Sequence, residues 1–111
     1  MKVAIEQCGG VAVIKPEGPI TWANAEEFES ETIETMGTNL GRIVVDASSM
    51  SYVDSKGLGV LVELSQELGQ RGKSLKLRHV NNTVQQVIEL TGLRPLFEHF
   101  EDINSAVRSF L

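Results

Sequence analysis

The spacing of apolar residues divides the chain into strands and helices that alternate. Residues 2–7 and 11–15 alternate apolar and polar positions around Gly9-Gly10, which predicts an N-terminal β-hairpin. A β-branched run within 42–47 predicts a strand covered on both faces, and alternation within 74–80 predicts another strand. Segments with helical spacing follow the hairpin and each of these strands. This order favours an α/β fold with a mixed, mostly parallel sheet of four to five strands flanked by about four helices.

Capping residues and glycines predict where the helices begin and end. The candidate N-caps, whose side-chain oxygens can accept from free amides of a first turn, are Asn24 or Thr21, then Asp54 or Ser55, then Asn81 or Asn82. The predicted buried stripe of the first helix consists of Phe28, Ile33 and Met36. The residues expected to end the first three helices are Gly37, then Gly69 and Gly72, then Gly92 and Pro95. A last helix is expected over residues 103–110.

Composition and charge narrow the class of protein. The 111 residues, 41% hydrophobic and 23% charged, predict one soluble domain spanning 1–111. A formal charge of -5 without a Lys/Arg cluster argues against nucleic acid as a partner. Cys8, His79 and His99 form no metal-ligand spacing, so we expect no metal, no cofactor and a reducing, cytoplasmic compartment. No apolar run approaches the ~18 residues that cross a membrane, so no membrane insertion is expected.

The segment 44–59 leads from a buried strand into a helix N-terminus, where α/β sheets usually place their sites. Capping alone would explain Asp54 and Ser55. Lys56 is less easily explained, because a positive charge in the first turn opposes the helix dipole by ~0.3–1 kcal/mol. Gly57 and Gly59 each cost a helix up to ~1 kcal/mol relative to alanine, so we expect either a close approach to their backbone or packing against the sheet.

The helix after this segment has a wide apolar arc. Its members are Leu58, Val60, Leu61, Val62, Leu64 and Leu68. One edge of the arc is expected to stay exposed as a partner surface, with burial under a neighbouring loop as the alternative. The residues expected to face outward are Gly59, Glu63, Gln66 and Glu67. Trp22 is expected to pack near the first helix or, if exposed, to join the partner surface.

These residues resemble a STAS domain, the family named for sulfate transporters and anti-sigma factor antagonists. The resemblance rests on the hairpin, on Gly18-Pro19-Ile20, on Ile43-Val44-Val45-Asp46, on Asp54-Ser55-Lys56-Gly57-Leu58-Gly59, and on Leu90-Thr91-Gly92-Leu93 with Leu96-Phe97. It implies a small mixed sheet flanked by helices and no catalytic activity. For the antagonist branch, it implies binding to an anti-sigma factor that is a serine kinase, and release of that complex by phosphorylation.

The phosphoacceptor is where this sequence departs from the family. The family motif reads Asp-Ser-Ser/Thr-Gly, and Lys56 stands at the acceptor position before Gly57. The first hypothesis is therefore a module that binds its partner without phosphorylation control; the second moves the acceptor to Ser55. The residues implied to bind the partner are Asp54, Ser55, Lys56, Gly57, Leu58, Gly59, Val60 and Glu63.

Other functions stay open at this stage. The resemblance also fits a subunit docked on the ATPase of a membrane lipid-transport complex, or a subunit of a large stress-sensing complex, and it leaves a homodimer open. An enzyme ranks last: the triad residue types are present as Ser55, His79 or His99, and Asp46 or Asp54, but a nucleophile elbow and an oxyanion hole are missing. His79 is expected to be a structural histidine, and His99 a surface residue with at most a raised proton affinity.

Overall fold

The computed structural model describes residues 1–111 and contains one five-stranded sheet with strand order β1-β2-β3-β4-β5. The strands are β1 (Lys2–Cys8), β2 (Val11–Glu17), β3 (Ile43–Asp46), β4 (Leu75–Arg78) and β5 (Phe97–Phe100). The helices are α1 (Ala25–Thr38), α2 (Ser55–Gly69), α3 (Asn82–Leu90) and α4 (Ile103–Arg108). Only β1 is antiparallel to its neighbour. The predicted mixed, mostly parallel α/β fold is confirmed.

The N-terminal hairpin forms as predicted. Gly9 and Gly10 have φ values of 58° and 87°, the left-handed conformation that a type I′ turn requires at both central residues. The register then runs without interruption from Cys8 opposite Val11 to Lys2 opposite Glu17. The hairpin therefore supplies the antiparallel edge of an otherwise parallel sheet.

The two faces of the sheet are covered unequally. Helices α1, α2 and α3 enclose a large apolar cluster on one face, in which Phe28, Leu61 and Ile88 are fully buried. On the other face, α4 packs through Ala106 on Val11 and Val44. The two faces thus place the main core under the three longer helices. No helix is both long and apolar enough to span a bilayer.

Helix α1 buries different residues from those predicted. Ile33 is 41% exposed, while Thr32 and Thr35 are buried with Phe28 and Met36. The hydroxyls of these threonines donate to main-chain carbonyls one turn earlier, at 2.8 and 2.9 Å. This local hydrogen bond removes the cost of burying an unpaired hydroxyl, and an apolar count alone misses it.

The end of α1 and the last strand also differ from the predictions. The helix passes Gly37 and ends at Thr38, and the reversal is made by Leu40 and Gly41, which have φ values of 56° and 75°. Strand β5 was not predicted, because Phe97–Phe100 is a short segment close behind Pro95. It adds a parallel strand beside β4.

A candidate protein-interaction site at the β3–α2 junction

Residues 46–59, here called the junction, connect the end of β3 to the first turns of α2 at the carboxyl edge of the parallel strands. The loop after β2 runs beside the junction. Ile20 N donates to Tyr52 O at 3.2 Å, Asp54 N donates to Ile20 O at 3.3 Å, and Gly18 N donates to Ser49 O at 3.0 Å. Loops from two neighbouring strands are therefore joined into one surface at this edge.

Asp54 fixes the start of α2. Of the two predicted caps, the structure selects Asp54, whose Oδ1 accepts from Gly57 N at 2.8 Å. Its Oδ2 accepts from Trp22 N at 2.9 Å. Hydrogen bonds from main-chain amides, first that of Gly57 and then that of Trp22, hold the pKa of Asp54 below its ordinary value because they favour the carboxylate. One side chain thus couples the helix to the neighbouring loop.

The two glycines of the junction have different roles. A Cβ at Gly57 would lie 2.1 Å from Ile20 O, far inside van der Waals contact, so only glycine lets α2 approach the neighbouring loop. A Cβ at Gly59 would meet nothing within 4 Å. The close approach predicted for both glycines is confirmed at Gly57 and wrong at Gly59.

Two exposed aromatic side chains flank the junction. Trp22 is 79% exposed and Tyr52 is 48% exposed. Because Trp22 N binds Asp54 and Tyr52 O binds Ile20, the main chain beneath both rings is fixed. The alternative in which Trp22 packs near the first helix is wrong. Exposed tryptophan and tyrosine on a rigid support are the residue types that anchor protein interfaces.

The sequence offered only a weak signal for Trp22. It is the one tryptophan of the chain and is followed by Ala-Asn-Ala, outside any helical or alternating apolar pattern. Such isolation is compatible with an exposed anchor, although a bulky aromatic is usually buried at least in part.

Helix α2 does not present the apolar edge that was expected. Val60 is 1% exposed and belongs to the main core together with Leu64, so it does not form the exposed apolar edge that was expected, and its role in partner binding stays a prediction. Gly57 is buried against the neighbouring loop and also offers no contact surface. The alternative of burial under a neighbouring loop applies to Gly57, whereas Val60 and Leu64 are buried in the main core, where α2 packs on α1 and β4.

The remaining predicted residues form a polar surface. Ser55, Lys56 and Glu63 are exposed, and Asp54, Leu58 and Gly59 are partly exposed. Gln66 and Glu67 also face outward, as predicted. The apolar part of this surface therefore comes from Trp22 and Tyr52, and its polar part comes from α2.

A carboxyl pair lies between α1 and α2 close to Lys56. The pKa of Glu29 is raised to about 7, first by its hydrogen bond with Glu63 and then by burial and the negative charge of Glu63. The charge of Lys56 acts in the opposite direction and lowers the pKa. Glu63 and partial burial thus favour the protonated form of Glu29. The sequence did not single out Glu29, one of many glutamates on α1.

The junction is an open surface, not a cleft. The three surface cavities of the molecule are lined elsewhere, and none includes a residue of the junction. No group of three or more His, Cys, Asp or Glu side chains is arranged to hold a metal ion. A surface of this shape suits a macromolecular partner better than a small ligand, which is usually enclosed.

The candidate catalytic residues His79 and Asp46 bind groups outside the proposed triad. His79 Nδ1 lies 3.1 Å from Glu101 Oε2, and Asp46 Oδ1 accepts from Ser48 N and pairs with Arg78. No hydrogen bond links Ser55 to a histidine. The structure therefore assembles no serine–histidine–aspartate triad.

His99 also departs from its prediction. Its ring nitrogens are buried without hydrogen-bond partners. Burial, followed by the charge of Arg94, lowers its pKa, so the expected raised proton affinity is wrong.

Comparisons with known proteins identify the class. A STAS domain family model matches residues 2–106, and the chain therefore belongs to the STAS domain family. One relative, BtrV of Bordetella bronchiseptica, whose name places it among anti-sigma factor antagonists, is 26% identical over 110 residues, covering 99% of this chain and 95% of BtrV. The anti-sigma-F factor antagonist RsfB of Mycobacterium tuberculosis is 29% identical over 107 residues, covering 95% and 85%.

Solved structures agree on the fold. The anti-sigma factor antagonist SpoIIAA in its unphosphorylated form superposes with a TM-score of 0.79 at 19% identity, covering 98% of this chain and 96% of SpoIIAA. SpoIIAA of Bacillus in its phosphorylated form gives a TM-score of 0.73 at 19% identity, covering 99% and 100%. The fold of this chain is thus that of SpoIIAA, a protein solved in both states.

Proposed function

We propose that this protein is an anti-sigma factor antagonist: a single-domain, cytoplasmic, non-enzymatic module whose junction binds an anti-sigma factor of the serine-kinase type. The observation that carries the proposal is the pair of exposed aromatic residues, Trp22 and Tyr52, on the rigid support made by Asp54 and Ile20. Relatives that span nearly the whole chain have antagonist names, which supports the same function.

The proposed interface has an aromatic centre and a polar side. Trp22 and Tyr52 supply apolar area at a low entropic cost, since each ring has only two rotatable side-chain bonds. Ser55, Lys56 and Glu63 supply polar contacts next to them. Because Lys56 is exposed in the first turn of α2, an acidic side chain of the partner is the group that would pair with it.

Phosphorylation does not release the partner in this proposal. In this chain, Lys56 stands at the motif position that accepts the phosphoryl group in the proteins it resembles. A lysine ammonium offers no hydroxyl for that transfer. Ser55 is exposed and is the alternative acceptor. A phosphate there would add about -1.5 to -2 charges at the surface that binds the partner.

Binding measurements on matched variants test the proposal. The protein is immobilised and exposed to lysate of its own organism, bound proteins are identified by mass spectrometry, and the purified partner is then titrated calorimetrically. We expect the captured partner to be a serine-kinase anti-sigma factor. Trp22→Ala should weaken its binding by about 2 kcal/mol or more. Leu90→Ala, which truncates an 88% exposed side chain on α3, is the control and should bind like the wild type.

Two outcomes would contradict the proposal. Capture of a transport ATPase, or of a large multi-subunit assembly, would favour docking functions instead. Equal binding by Trp22→Ala and Leu90→Ala would place the interface away from the junction.

A further inference from the structure

Strand β1 forms one edge of the sheet and has no strand on its outer side. It pairs only with β2, and its seven residues run from Lys2 to Cys8 without a bulge or a proline. Native proteins usually protect such an edge, because its free amide and carbonyl groups pair readily with another strand. The outer edge of β1 therefore leaves main-chain groups free to pair with another strand.

The hairpin turn determines which main-chain groups face outward. A two-residue turn makes Cys8 and Val11 a hydrogen-bonded pair, and hydrogen-bonded pairs then alternate along the ladder. The even-numbered residues of β1 therefore bond to β2. Val3 and Ile5 direct their N–H and C=O groups to the free edge.

The sequence of this edge is complementary to itself. When two copies of β1 pair antiparallel about Ala4, Lys2 of each copy faces Glu6 of the other. The same register places Val3 opposite Ile5, and these two residues carry the outward main-chain groups. Lys2 and Glu6 then form a non-hydrogen-bonded pair, in which Cα atoms approach to about 4.5 Å and side chains lie closest. No other group is needed to complete the pairing.

Side-chain exposure agrees with this register. Ile5 is 46% exposed beside a shallow groove of about 180 Å³ between β1 and α1. Val3 of a second copy would lie against it. On the opposite face, Lys2 is largely exposed and is bound only loosely to Glu17 at 3.6 Å, so it is free to meet Glu6 of the second copy. The small side chain of Ala4 leaves room at the two-fold axis.

We propose that this protein forms a two-fold homodimer by antiparallel pairing of β1 with β1 of a second copy, centred on Ala4. The two five-stranded sheets become one continuous sheet. Because the paired strands run in opposite directions, the two junctions lie at opposite ends of the dimer. Both remain accessible, and the dimer is bivalent.

The dimer dissociates on dilution. A strand edge buries less than the ~1,200–2,000 Å² of a stable interface. Glu31 and Glu34 of α1 line the groove beside Ile5, and the same residues of the second copy add like charge across the axis. The proposal therefore concerns association in the micromolar to millimolar range.

Sedimentation equilibrium with charge-reversed variants tests the dimer. We expect the mass of the wild type to approach that of two chains as the concentration rises from about 1 μM to about 1 mM. Glu6→Lys places lysines opposite each other and should raise the dissociation constant about tenfold or more. The double variant Lys2→Glu/Glu6→Lys restores opposite charges and should recover the wild-type constant. Glu67→Lys, at an exposed position of α2, makes the same charge change away from the edge and should have no effect.

A main-chain variant separates the dimer from folding. Ile5→Pro removes an N–H that faces the free edge, so the hairpin keeps its own hydrogen bonds and circular dichroism should report a folded monomer. A wild type that stays monomeric at about 1 mM would overturn the proposal. A dimer that survives both Glu6→Lys and Ile5→Pro would also overturn it, since another face would then hold the copies together.

Discussion

Two neighbouring turns at the carboxyl edge of the sheet start their helices by the same chemistry, yet only one has the features of an interface. Asp54 begins α2 after β3, and Asn81 begins α3 after β4. Each side chain accepts from the amide three residues later at 2.8 Å. A helix cap alone therefore does not distinguish a binding site from a structural turn.

The differences lie around the caps. The side-chain amide of Asn81 donates to Ser51 O at 3.0 Å, so Asn81 stabilises the main chain of the junction. Asp54 instead binds the loop of Trp22, and Gly57 allows that loop to press against the helix. The close approach at Gly57 and the exposed aromatic beside it therefore mark the candidate site.

The largest effect is expected from filling the space at Gly57. Gly57→Ala forces its methyl group into Ile20 O and should lower the free energy of unfolding by about 1–3 kcal/mol, as overpacking does. Gly59→Ala meets no atom and should raise that free energy by up to about 1 kcal/mol through helix propensity. Urea denaturation measures both, and equal effects would contradict the assigned close approach.

The two caps should differ in how they respond to pH. Asn81→Ala should cost about 1 kcal/mol at every pH, because an amide cap does not titrate. Asp54 has a lowered folded pKa, so its ionisation contributes stability that is fully present above its ordinary pKa of about 3.9 and is lost as the pH falls through the folded value. Relative to the wild type, Asp54→Asn should therefore lose stability near neutral pH and converge with it at low pH.

Denaturation curves between neutral and acidic pH check this difference. A deficit of Asp54→Asn that stayed constant down to the lowest pH would show that the carboxylate charge has no role. A deficit of Asn81→Ala that varied with pH would remove the contrast between the two turns.

The smallest effect concerns the carboxyl pair of Glu29 on α1 and Glu63 on α2. The folded pKa of Glu29 is raised, so ionising it costs stability as the pH rises from 4.5 to about 7. Because Glu63 is exposed and Glu29 only partly buried, solvent weakens their interaction, and Glu29→Gln should gain only a few tenths of a kcal/mol at pH 8 and nothing at pH 4. Thermal unfolding at the two pH values measures this gain, with Glu67→Gln as the control. Equal stability changes in the two variants would contradict an interaction between Glu29 and Glu63.

The sequence predicted the features that depend on residues close together in the chain, and missed those that depend on residues far apart. Local patterns located the hairpin and the strands β3 and β4, and narrowed the caps of α2 and α3 to two adjacent residues each, since turn and capping chemistry acts within a few residues. Burial of Val60 depends on the angle at which α2 enters the groove between α1 and the sheet, which no local pattern records. The burial of Thr32 in place of Ile33 was also missed. The Thr32 hydroxyl finds its acceptor within its own helix.

The site was predicted in part for the same reason. Gly57 drew attention as a costly residue in a helix, but the Ile20 carbonyl it faces is distant along the chain. Trp22 joins the junction through Asp54, again a long-range contact. Asp54, Gly57 and Trp22 could be named from the sequence, whereas Tyr52 was not singled out and the assembly of these residues required the fold.

In the proposed function, the junction binds a serine-kinase anti-sigma factor and Lys56 removes phosphorylation control. The most direct test incubates the purified complex with ATP and follows both its integrity and the intact mass of each antagonist, for the wild type and for Lys56→Ser. We predict that the wild type stays bound without a mass change, while Lys56→Ser gains one phosphoryl group at residue 56 and dissociates. A wild type that is phosphorylated at Ser55 and released, or a phosphorylated Lys56→Ser that stays bound, would contradict the claim.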